Sequence, residues 1–464
     1  MFSNIVSWLS NLKKQLSILA GIAAVSLLAT ACGSTASTSA SASTTAANKS
    51  HAPVTLTIMT WQPGGPAGWN QSISMFEKKY PWIKVVQDTV PYSEMTAKLA
   101  VDAKVHSGID VFANQDAWQP YWNATLPLQG KIGNTLSTLN AAYAYCYNLN
   151  CKDGVAGLNS TQNGYPLYYN KVVFKKAGLN PAKPPTTWAQ LTADCTAIMK
   201  SGNSCFAFGG GGITDYEILT AGLLFETVNA TQAAAHATLA PGAQWTSPEY
   251  ESLIKLFGYM ASNKWFQPGM LSVHSVQAQD YFAANKAGFL PGLVSGAYNY
   301  PVLDKLMGGA NVGITPWPAI TSTSPIPGLP EGPGNGKLAI GNGTGYSVFK
   351  WTKHPASSIL LVRFLVGPQV EQMWASSSQR FVSYNRINVG AVSSALDKIN
   401  PAMGEQYKYF VTAAKQEATA AEPWLTIGGE YPAIETELQS LYLGHTSVQG
   451  AAQALESASE SLLK

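Results

Sequence analysis

The stretch YPLYYNKVVFKKAGL at residues 165–179, with PPTTWAQL at residues 184–191, decides the fold. YPLYYN predicts a strand, and KVVFKKAGL predicts a short helix. The segment TTWAQLTADCTAIMKSGN, which starts at Thr186, predicts a longer helix that begins at a threonine cap and ends in Gly-Asn. A strand followed by helices at this point repeats the alternation of strands and helices predicted for the preceding part of the chain, so the sequence divides near residue 165.

The first alternation of strands and helices covers residues 54–116. VTLTIMTW, WIKVVQDTV and IDVFANQD predict strands, and WNQSISMFEKKYP and YSEMTAKLAVDAKVHSG between them predict helices. After residue 165 the segments CFAFGGGG, KAGFLPG, NVGITPWP and GYSVFKWT predict further strands, and residues 432–463 predict helices. This alternation is typical of an α/β fold with two parallel layers.

Composition narrows the class of ligand. Only 12% of the 464 residues are charged, about half the usual share, whereas the chain has 13 Trp and 21 Tyr. The net charge is +3 without a basic block, which argues against nucleic-acid binding. An aromatic, charge-poor surface suits neutral ligands and an extracellular setting.

The first 31 residues predict a secretory signal. Lys13 and Lys14 precede an apolar run at residues 16–31 that ends in small residues. The alternative is an uncleaved membrane anchor, but the run is shorter than the roughly 18 residues that a membrane span needs.

The end of this segment, Leu28-Ala29-Thr30-Ala31-Cys32, resembles a bacterial lipobox. The resemblance implies that Cys32 carries the lipid and becomes the first residue of the exported protein. Acyl chains contribute about 0.8 kcal/mol per buried methylene, enough for a multiply acylated terminus to hold a membrane. Residues 32–53 are mostly Ser, Thr and Ala, and they predict a flexible tether.

Four further cysteines predict two local disulfides, Cys146–Cys151 and Cys195–Cys205. A zinc site is the alternative, but neither pair has C-x-x-C spacing or a neighbouring His pair. No metal or cofactor is expected. The glycine-rich EGPGNGKLA, residues 331–339, does not fit a phosphate-binding loop, because Glu331 occupies a required glycine position and Leu338 follows Lys337.

Several segments together carry a family resemblance: LTIMTW, FEKKYPWIKV, SGIDVF, YPLYYNKVVFKKAGL with PPTTWAQL, KAGFLPG and GYSVFKWTKHPASSILLVRFL. In this order they resemble the sugar-binding proteins of ABC importers, the extracellular solute-binding family 1 that includes maltose-binding protein. The resemblance runs from about Val54 to the end of the chain. It implies a two-lobed, type II periplasmic-binding-protein-like fold, with hinge crossovers and a ligand cleft between the lobes.

The expected lobe boundaries follow from the two alternations of strands and helices. Residues 54–165 and 337–376 are expected in lobe one, and residues 166–336 and 377–464 in lobe two. In open α/β sheets, ligands lie beyond the carboxyl ends of the strands, so candidate residues follow each predicted strand.

We expect a ligand-binding role for 14 residues: Trp61, Gln62, Gln115, Asp116, Trp118, Asn163, Asp215, Glu217, Gly292, Tyr298, Trp317, Trp424, Glu430 and Tyr431. Asp116 matches a sugar-binding aspartate of the family, and a carboxylate can accept hydrogen bonds from two adjacent hydroxyls. A helix cap is its alternative role. Trp61 could stack on a sugar ring or lie in the core. The residues after CFAFGGGG could instead belong to a plain glycine loop.

The resemblance implies a lipid-anchored, non-catalytic protein on the outer face of the cytoplasmic membrane. It would capture a neutral mono- or oligosaccharide as a monomer and deliver it to an ABC permease. The alternative is a secreted lipoprotein enzyme that acts on glycans, which product formation would reveal. A polyamine ligand is a weaker option, because it would require several acidic residues in the cleft.

Overall fold

A computed structural model describes residues 51–62, 66–106, 108–115, 121–133, 135, 144–146, 154–294, 300–332, 334, 336–378, 381–382, 387–399, 403–416, 427 and 429–463. The predicted signal, Cys32 and nearly all of the tether lie outside these residues. Among the described residues, no helix is both long and apolar enough to cross a membrane.

The strands of the described part are β1 (Val54–Thr60), β2 (Ile83–Thr89), β3 (Val111–Asn114), β4 (Ala144–Cys146), β5 (Val155–Asn159), β6 (Thr161–Tyr165), β7 (Leu167–Asn170), β8 (Ser204–Phe206), β9 (Ala287–Pro291), β10 (Val312–Thr315), β11 (Ala339–Asn342), β12 (Gly345–Val348) and β13 (Phe381–Val382).

Its helices are α1 (Pro66–Lys79), α2 (Met95–Val105), α3 (Lys171–Lys176), α4 (Trp188–Lys200), α5 (Ile213–Leu224), α6 (Ala230–His236), α7 (Pro248–Ser262), α8 (Ser275–Ala283), α9 (Tyr300–Met307), α10 (Pro355–Leu365), α11 (Pro368–Ser378), α12 (Val389–Ile399), α13 (Met403–Gln416), α14 (Tyr431–Tyr442) and α15 (Val448–Leu462). Short 3-10 turns form at Tyr92–Glu94, Met270–Ser272 and Gly309–Asn311.

The strands form three sheets. The first has the order β2-β1-β3-β12-β5-β4, the second β10-β7-β9-β8 and the third β11-β6-β13. In the first sheet β2, β1 and β3 are parallel neighbours, whereas β12 runs antiparallel to β3. The three strands predicted within residues 54–116 therefore lie side by side, and their carboxyl ends lie at the same edge of the first sheet.

Two hydrophobic cores give the chain its two lobes. In the first core Ile58, Val111 and Val348 from the first sheet pack with Trp69 of α1 and Leu361 of α10. A separate, smaller cluster on the other face of this sheet includes Met59 and Phe112. This division follows from the alternation of side chains along each strand.

The second core surrounds the second sheet. Tyr168, Phe206 and Phe289 from its strands pack with α4, α5 and α7. Residues 165–191 lie in this part of the structure, and both of their helices begin at a capping residue. Asn170 caps α3 by accepting from the backbone N–H groups of Val172 and Val173, and Thr187 caps α4.

The C-terminal segment divides differently from the expectation. Val392 and Leu396 of α12 and Tyr407 and Phe410 of α13 pack in the first core. Ile434 and Leu438 of α14, like Leu455 of α15, pack in the second core. The structure thus packs α12 and α13 in the first core, whereas the sequence placed residues 377–464 in lobe two; an apolar helix stripe does not identify the core that it joins.

A disulfide joins Cys195 of α4 to Cys205 of β8, and both residues are fully buried. The prediction for this pair is confirmed. The covalent link fixes a helix to the strand beneath it in the second lobe. Cys146 ends β4, and its predicted partner Cys151 lies outside the described residues.

Candidate functional site

The carboxyl edge of the first sheet brings together residues from three parallel strands. Trp61 and Gln62 follow β1, Tyr92 follows β2, and Gln115 follows β3. We call these four residues the strand-end cluster. Three of them were predicted from sequence. Tyr92 was missed, although its position after a predicted strand is the same signal that indicated Trp61.

Tyr92 connects the predicted residues of this cluster. Its ring meets the ring of Trp61 edge-on, with centroids 5.4 Å apart and planes at 67°. Its hydroxyl donates a hydrogen bond of 2.9 Å to the side-chain oxygen of Gln115. The tyrosine is 37% exposed, so the cluster presents an aromatic and amide surface to solvent.

Gln62 adopts a backbone conformation that is uncommon for its residue type. Its φ of 50° lies in the left-handed region, and its backbone N–H donates to the Thr60 hydroxyl at 2.9 Å. Its side-chain nitrogen donates to the side-chain oxygen of Gln87 at 3.0 Å. Strained backbone held by several contacts is common at functional sites.

Glu217 of the second lobe acts electrostatically on this cluster. It lies on α5, and its negative charge contributes to the shift at Tyr92. Although Tyr92 as a whole is 37% exposed, loss of water around its hydroxyl is the main cause that raises the pKa of this group above its usual range, and the Glu217 carboxylate adds to it. Burial also raises the pKa of Glu217 itself to about 7. The charge of Glu217, on α5, thus acts on Tyr92 of the first lobe.

Asp215, two residues earlier, points into its own lobe. Its side chain is 2% exposed and accepts a hydrogen bond of 2.8 Å from Ser275. A Cβ atom at Gly209 would lie 2.5 Å from its carboxylate, so the start of the glycine-rich loop must pass closely over it. Burial raises the pKa of Asp215 to about 7. This arrangement gives Asp215 a structural role in holding the loop.

Glu430 also lies inside the second lobe, with no exposed surface. Its carboxylate accepts hydrogen bonds from the Trp245 indole N–H at 3.0 Å, from the Ser459 hydroxyl and from the backbone N–H of Ile427 at 2.7 Å. A ring nitrogen of buried His236 lies 3.3 Å away. Glu430 therefore joins loops and helices of the core and does not face a cleft.

Two more predicted residues serve packing. Trp317 is 1% exposed and stacks on Phe206 at 6.0 Å within the second core. Gly292 lies against Tyr168, whose ring atoms would be 2.4 Å from a Cβ there. Trp317, Glu430 and Asp215 are buried in the second lobe, apart from the strand-end cluster, and their expected ligand roles stay predictions.

Asn163 and Tyr431 have intermediate positions. Asn163, on β6 of the third sheet, is 8% exposed, and its amide donates to the Tyr165 hydroxyl at 3.3 Å. Tyr431 begins α14 and is partly buried against the second core. Asp116, Trp118, Tyr298 and Trp424 lie outside the described residues, so their expected roles stay predictions. Within the described chain, no group of three His, Cys, Asp or Glu side chains could hold a metal ion.

A model of the family described as "Bacterial extracellular solute-binding protein" matches residues 60–372. The sn-glycerol-3-phosphate-binding periplasmic protein UgpB of Yersinia pestis is 48% identical over 56 residues, which is 12% of this chain and only 13% of that protein.

Similar solved structures cover far more of the chain. The GacH receptor of Streptomyces glaucescens, solved without ligand and with acarbose, has a TM-score of 0.65 and 18% identity, covering 89% of this chain and 99% of the receptor. A sugar transporter protein of Bacillus licheniformis in complex with stachyose has a TM-score of 0.62 and 18% identity, covering 88% and 100%. At this identity the likeness establishes a shared fold.

Proposed function

Because this chain belongs to the bacterial extracellular solute-binding protein family, we propose that it captures a neutral mono- or oligosaccharide for an ABC-type importer. The observation that supports this proposal is the strand-end cluster, in which Trp61, Tyr92 and two glutamines converge at the carboxyl edge of parallel strands. The charge of Glu217, from the other lobe, acts on Tyr92 of that cluster.

The chemistry of the cluster suits a sugar. An aromatic ring covers the apolar C–H face of a pyranose, and side-chain amides supply both donors and acceptors to its hydroxyl groups. The similar Streptomyces and Bacillus structures contain acarbose and stachyose, which are carbohydrate-type ligands. Asp116, which follows Gln115 directly, would add a charged acceptor.

The short match to the glycerol-3-phosphate-binding protein raises a phosphate ligand as a competing possibility. The strand-end cluster consists of neutral side chains, and the charged group that acts on it is the acidic Glu217. A phosphate would gain no cationic partner from these five residues and would be repelled by Glu217 when ionised. The cluster therefore favours an uncharged polyol.

The same proposal includes the location and partners. A lipid on Cys32 and the tether of residues 32–53 would keep the protein on the outer face of the cytoplasmic membrane, within reach of a permease. It would act as a monomer without catalysis. The rival enzyme function predicts release of product from the bound glycan.

A thermal-shift screen tests the proposal on the soluble part from Ala52 onward, which is one compact unit. The probes are maltotriose, xylotriose, chitotriose, stachyose and glycerol 3-phosphate. A sugar present at 100 times its Kd should stabilise the protein by about 2.7 kcal/mol. The Trp61→Ala variant should lose most of that shift. Stabilisation by glycerol 3-phosphate alone, or by no probe, contradicts the proposal, and chromatographic detection of cleaved sugar would support the enzyme.

A further inference from the structure

The amino edge of the first sheet, opposite the strand-end cluster, collects basic residues from separate parts of the chain. Helices α1 and α2 end there, just before β2 and β3 begin, and the loop after β12 reaches the same edge because β12 runs antiparallel to β3. We call the exposed basic residues of these segments the basic edge. They are Lys78, Lys79, Lys84, Lys104, Lys350, Lys353 and Arg363.

Backbone contacts bring these segments together. The N–H of Phe349 donates to the carbonyl of Asp110, the residue before β3, at 3.0 Å, and Lys350 follows directly. Lys104 lies in the last turn of α2, which leads to the same Asp110. The sequence shows no basic block because these cations come from distant positions, and only the fold places them at one edge.

Acidic residues compensate this charge only in part. Among the described segments that form the edge, the carboxylates are those of Glu77, Asp102 and Asp110. Asp102 and Asp110 are buried, and Glu77 forms an ion pair of 3.0 Å with Lys84. The basic edge therefore presents a net positive surface to solvent.

One part of the basic edge is concave. Lys79 and Arg363 line a cavity of about 440 Å³ together with Tyr80 and Thr135. The Lys79 ammonium lies 5.5 Å from the centre of the Tyr80 ring, and Nε of Arg363 donates to the Thr135 hydroxyl at 3.1 Å. This bond orients the guanidinium, whose terminal N–H groups can pair with two oxygens of a phosphate. The cavity thus suits a phosphate-bearing headgroup.

The predicted tether joins the first lobe at this same edge. Val54 begins β1, and its backbone N–H donates at 2.8 Å to the carbonyl of Trp82, three residues after Lys79. Residues 32–53 therefore connect to the lobe beside the basic edge. The seven residues of β1 separate this edge from the strand-end cluster by about 20 Å.

We propose that the basic edge docks onto the anionic phospholipid headgroups of the membrane that holds Cys32. The lipid on Cys32 belongs to the proposed function, but the charge of the edge exists without it. Each Lys or Arg close to an anionic bilayer strengthens partitioning about fivefold, and the attraction falls off within about 8 Å at physiological salt. The strand-end cluster lies beyond that range, so docking leaves it open to the medium.

Vesicle binding tests the proposal on the ligand-free soluble part from Ala52 onward, which is one compact unit. The parent should sediment with vesicles of equal parts phosphatidylglycerol and phosphatidylcholine at about 50 mM salt, and should be released at about 500 mM. It should not sediment with phosphatidylcholine alone. Absence of binding to the anionic vesicles, or equal binding to both kinds, would overturn the proposal.

A charge variant locates the docking surface. Combined Lys78→Gln, Lys104→Gln and Lys353→Gln substitutions should lower the partition coefficient about 100-fold, since three cations leave the edge. All three side chains are exposed, so the variant should melt like the parent.

The matched control removes the same amount of charge from the second lobe. It combines Lys175→Gln, Lys183→Gln and Lys200→Gln, which change exposed lysines of that lobe. Partitioning should stay within about threefold of the parent. An equal loss in both variants would mean that net charge alone attracts the protein, and it would overturn the basic edge as a docking surface.

Hydrogen-exchange mass spectrometry then reports which edge meets the lipid. On anionic vesicles, exchange should slow in peptides that cover residues 78–84 and 349–353, and should stay unchanged in residues 58–62 and 90–95. The reverse pattern would overturn the proposal. Neither experiment needs a sugar, so a failed sugar screen leaves their result intact, and absent vesicle binding leaves the carbohydrate proposal standing.

Discussion

The Tyr92 hydroxyl donates to Gln115 at 2.9 Å, although the two residues come from turns after different strands. This bond joins the ends of β2 and β3, while the Tyr92 ring reaches Trp61 after β1. One tyrosine therefore connects all three parallel strands at the edge where ligands are expected. The predictions below begin with this residue.

Tyr92→Phe should weaken sugar binding about fivefold while the melting temperature stays near that of the parent. The substitution removes one hydrogen bond, worth about 1 kcal/mol, and keeps the ring against Trp61. Calorimetry with the sugar found in the screen measures the effect. Tyr409→Phe is the matched control, because Tyr409 is also 37% exposed but lies on α13. Equal effects of the two substitutions would remove Tyr92 from the site.

Sugar affinity should decrease as the pH rises from about 5 to 8. Burial raises the pKa of Glu217 to about 7 from its ordinary 4.5, so the carboxyl binds a proton more tightly in this buried position than it would in water. The stabilisation that protonated Glu217 contributes is complete below its ordinary pKa of 4.5 and is lost as the pH rises through about 7. Fluorescence titrations at four pH values test this, and Glu217→Gln should flatten the profile. An equally steep profile in the variant would assign the dependence to another group.

Glu430→Ala should lower the free energy of unfolding by about 3–5 kcal/mol, because it removes a buried carboxylate that contacts His236 and accepts hydrogen bonds from Trp245 and Ile427. Urea unfolding followed by circular dichroism measures the loss. Glu460→Ala is the control, since Glu460 is an exposed residue of α15 and should change stability by less than about 0.5 kcal/mol. If Glu430→Ala abolished sugar binding in a fully stable protein, Glu430 would belong to the ligand site after all.

Asp116→Ala should weaken sugar binding about 10- to 150-fold, equivalent to about 1.5–3 kcal/mol, without unfolding the protein. The reason is chemical: a carboxylate directly after Gln115 can accept from two neighbouring sugar hydroxyls. Calorimetry is compared with Asp280→Ala, which changes an exposed aspartate of α8. Parent-like affinity with a lower melting temperature would indicate a capping role for Asp116.

Cys32→Ser should release the protein from the membrane fraction into the medium. The small residues before Cys32 and the Ser/Thr-rich segment after it are the basis for this expectation. Cell fractionation and immunoblotting of the parent and the variant provide the measurement. Retention of the variant on membranes would mean that the apolar leader is itself an anchor.

The sequence allowed the α/β rhythm and much of the strand-end cluster to be predicted, because both depend on local patterns. Strand alternation located β1 and β3, and strand ends indicated Trp61, Gln62 and Gln115. Tyr92 was missed because it lies three residues after β2, at the start of a 3-10 turn, and residue order alone does not show which turn residue faces inward.

Long-range packing determines where two of the expected site residues lie. Glu430 is held by His236 and Trp245, which precede it by 194 and 185 residues, and no local pattern reveals such partners. Trp317 follows a strand as Trp61 does, yet it turns inward onto Phe206. The sequence thus indicates which residues follow a strand but not whether their side chains are buried in a core or exposed to solvent.

The parallel rings inside the second lobe have a practical consequence for spectroscopy. Trp188 stacks on Trp265 at 6.2 Å, Trp265 on Phe206 at 5.9 Å, and Phe206 on Trp317 at 6.0 Å, all within 12° of parallel. Rings held this rigidly in a chiral array give near-ultraviolet circular dichroism that disappears when their core loosens. Because Trp61 lies in the other lobe, its emission and this dichroic band provide two optical signals that would distinguish ligand capture from melting of the second core.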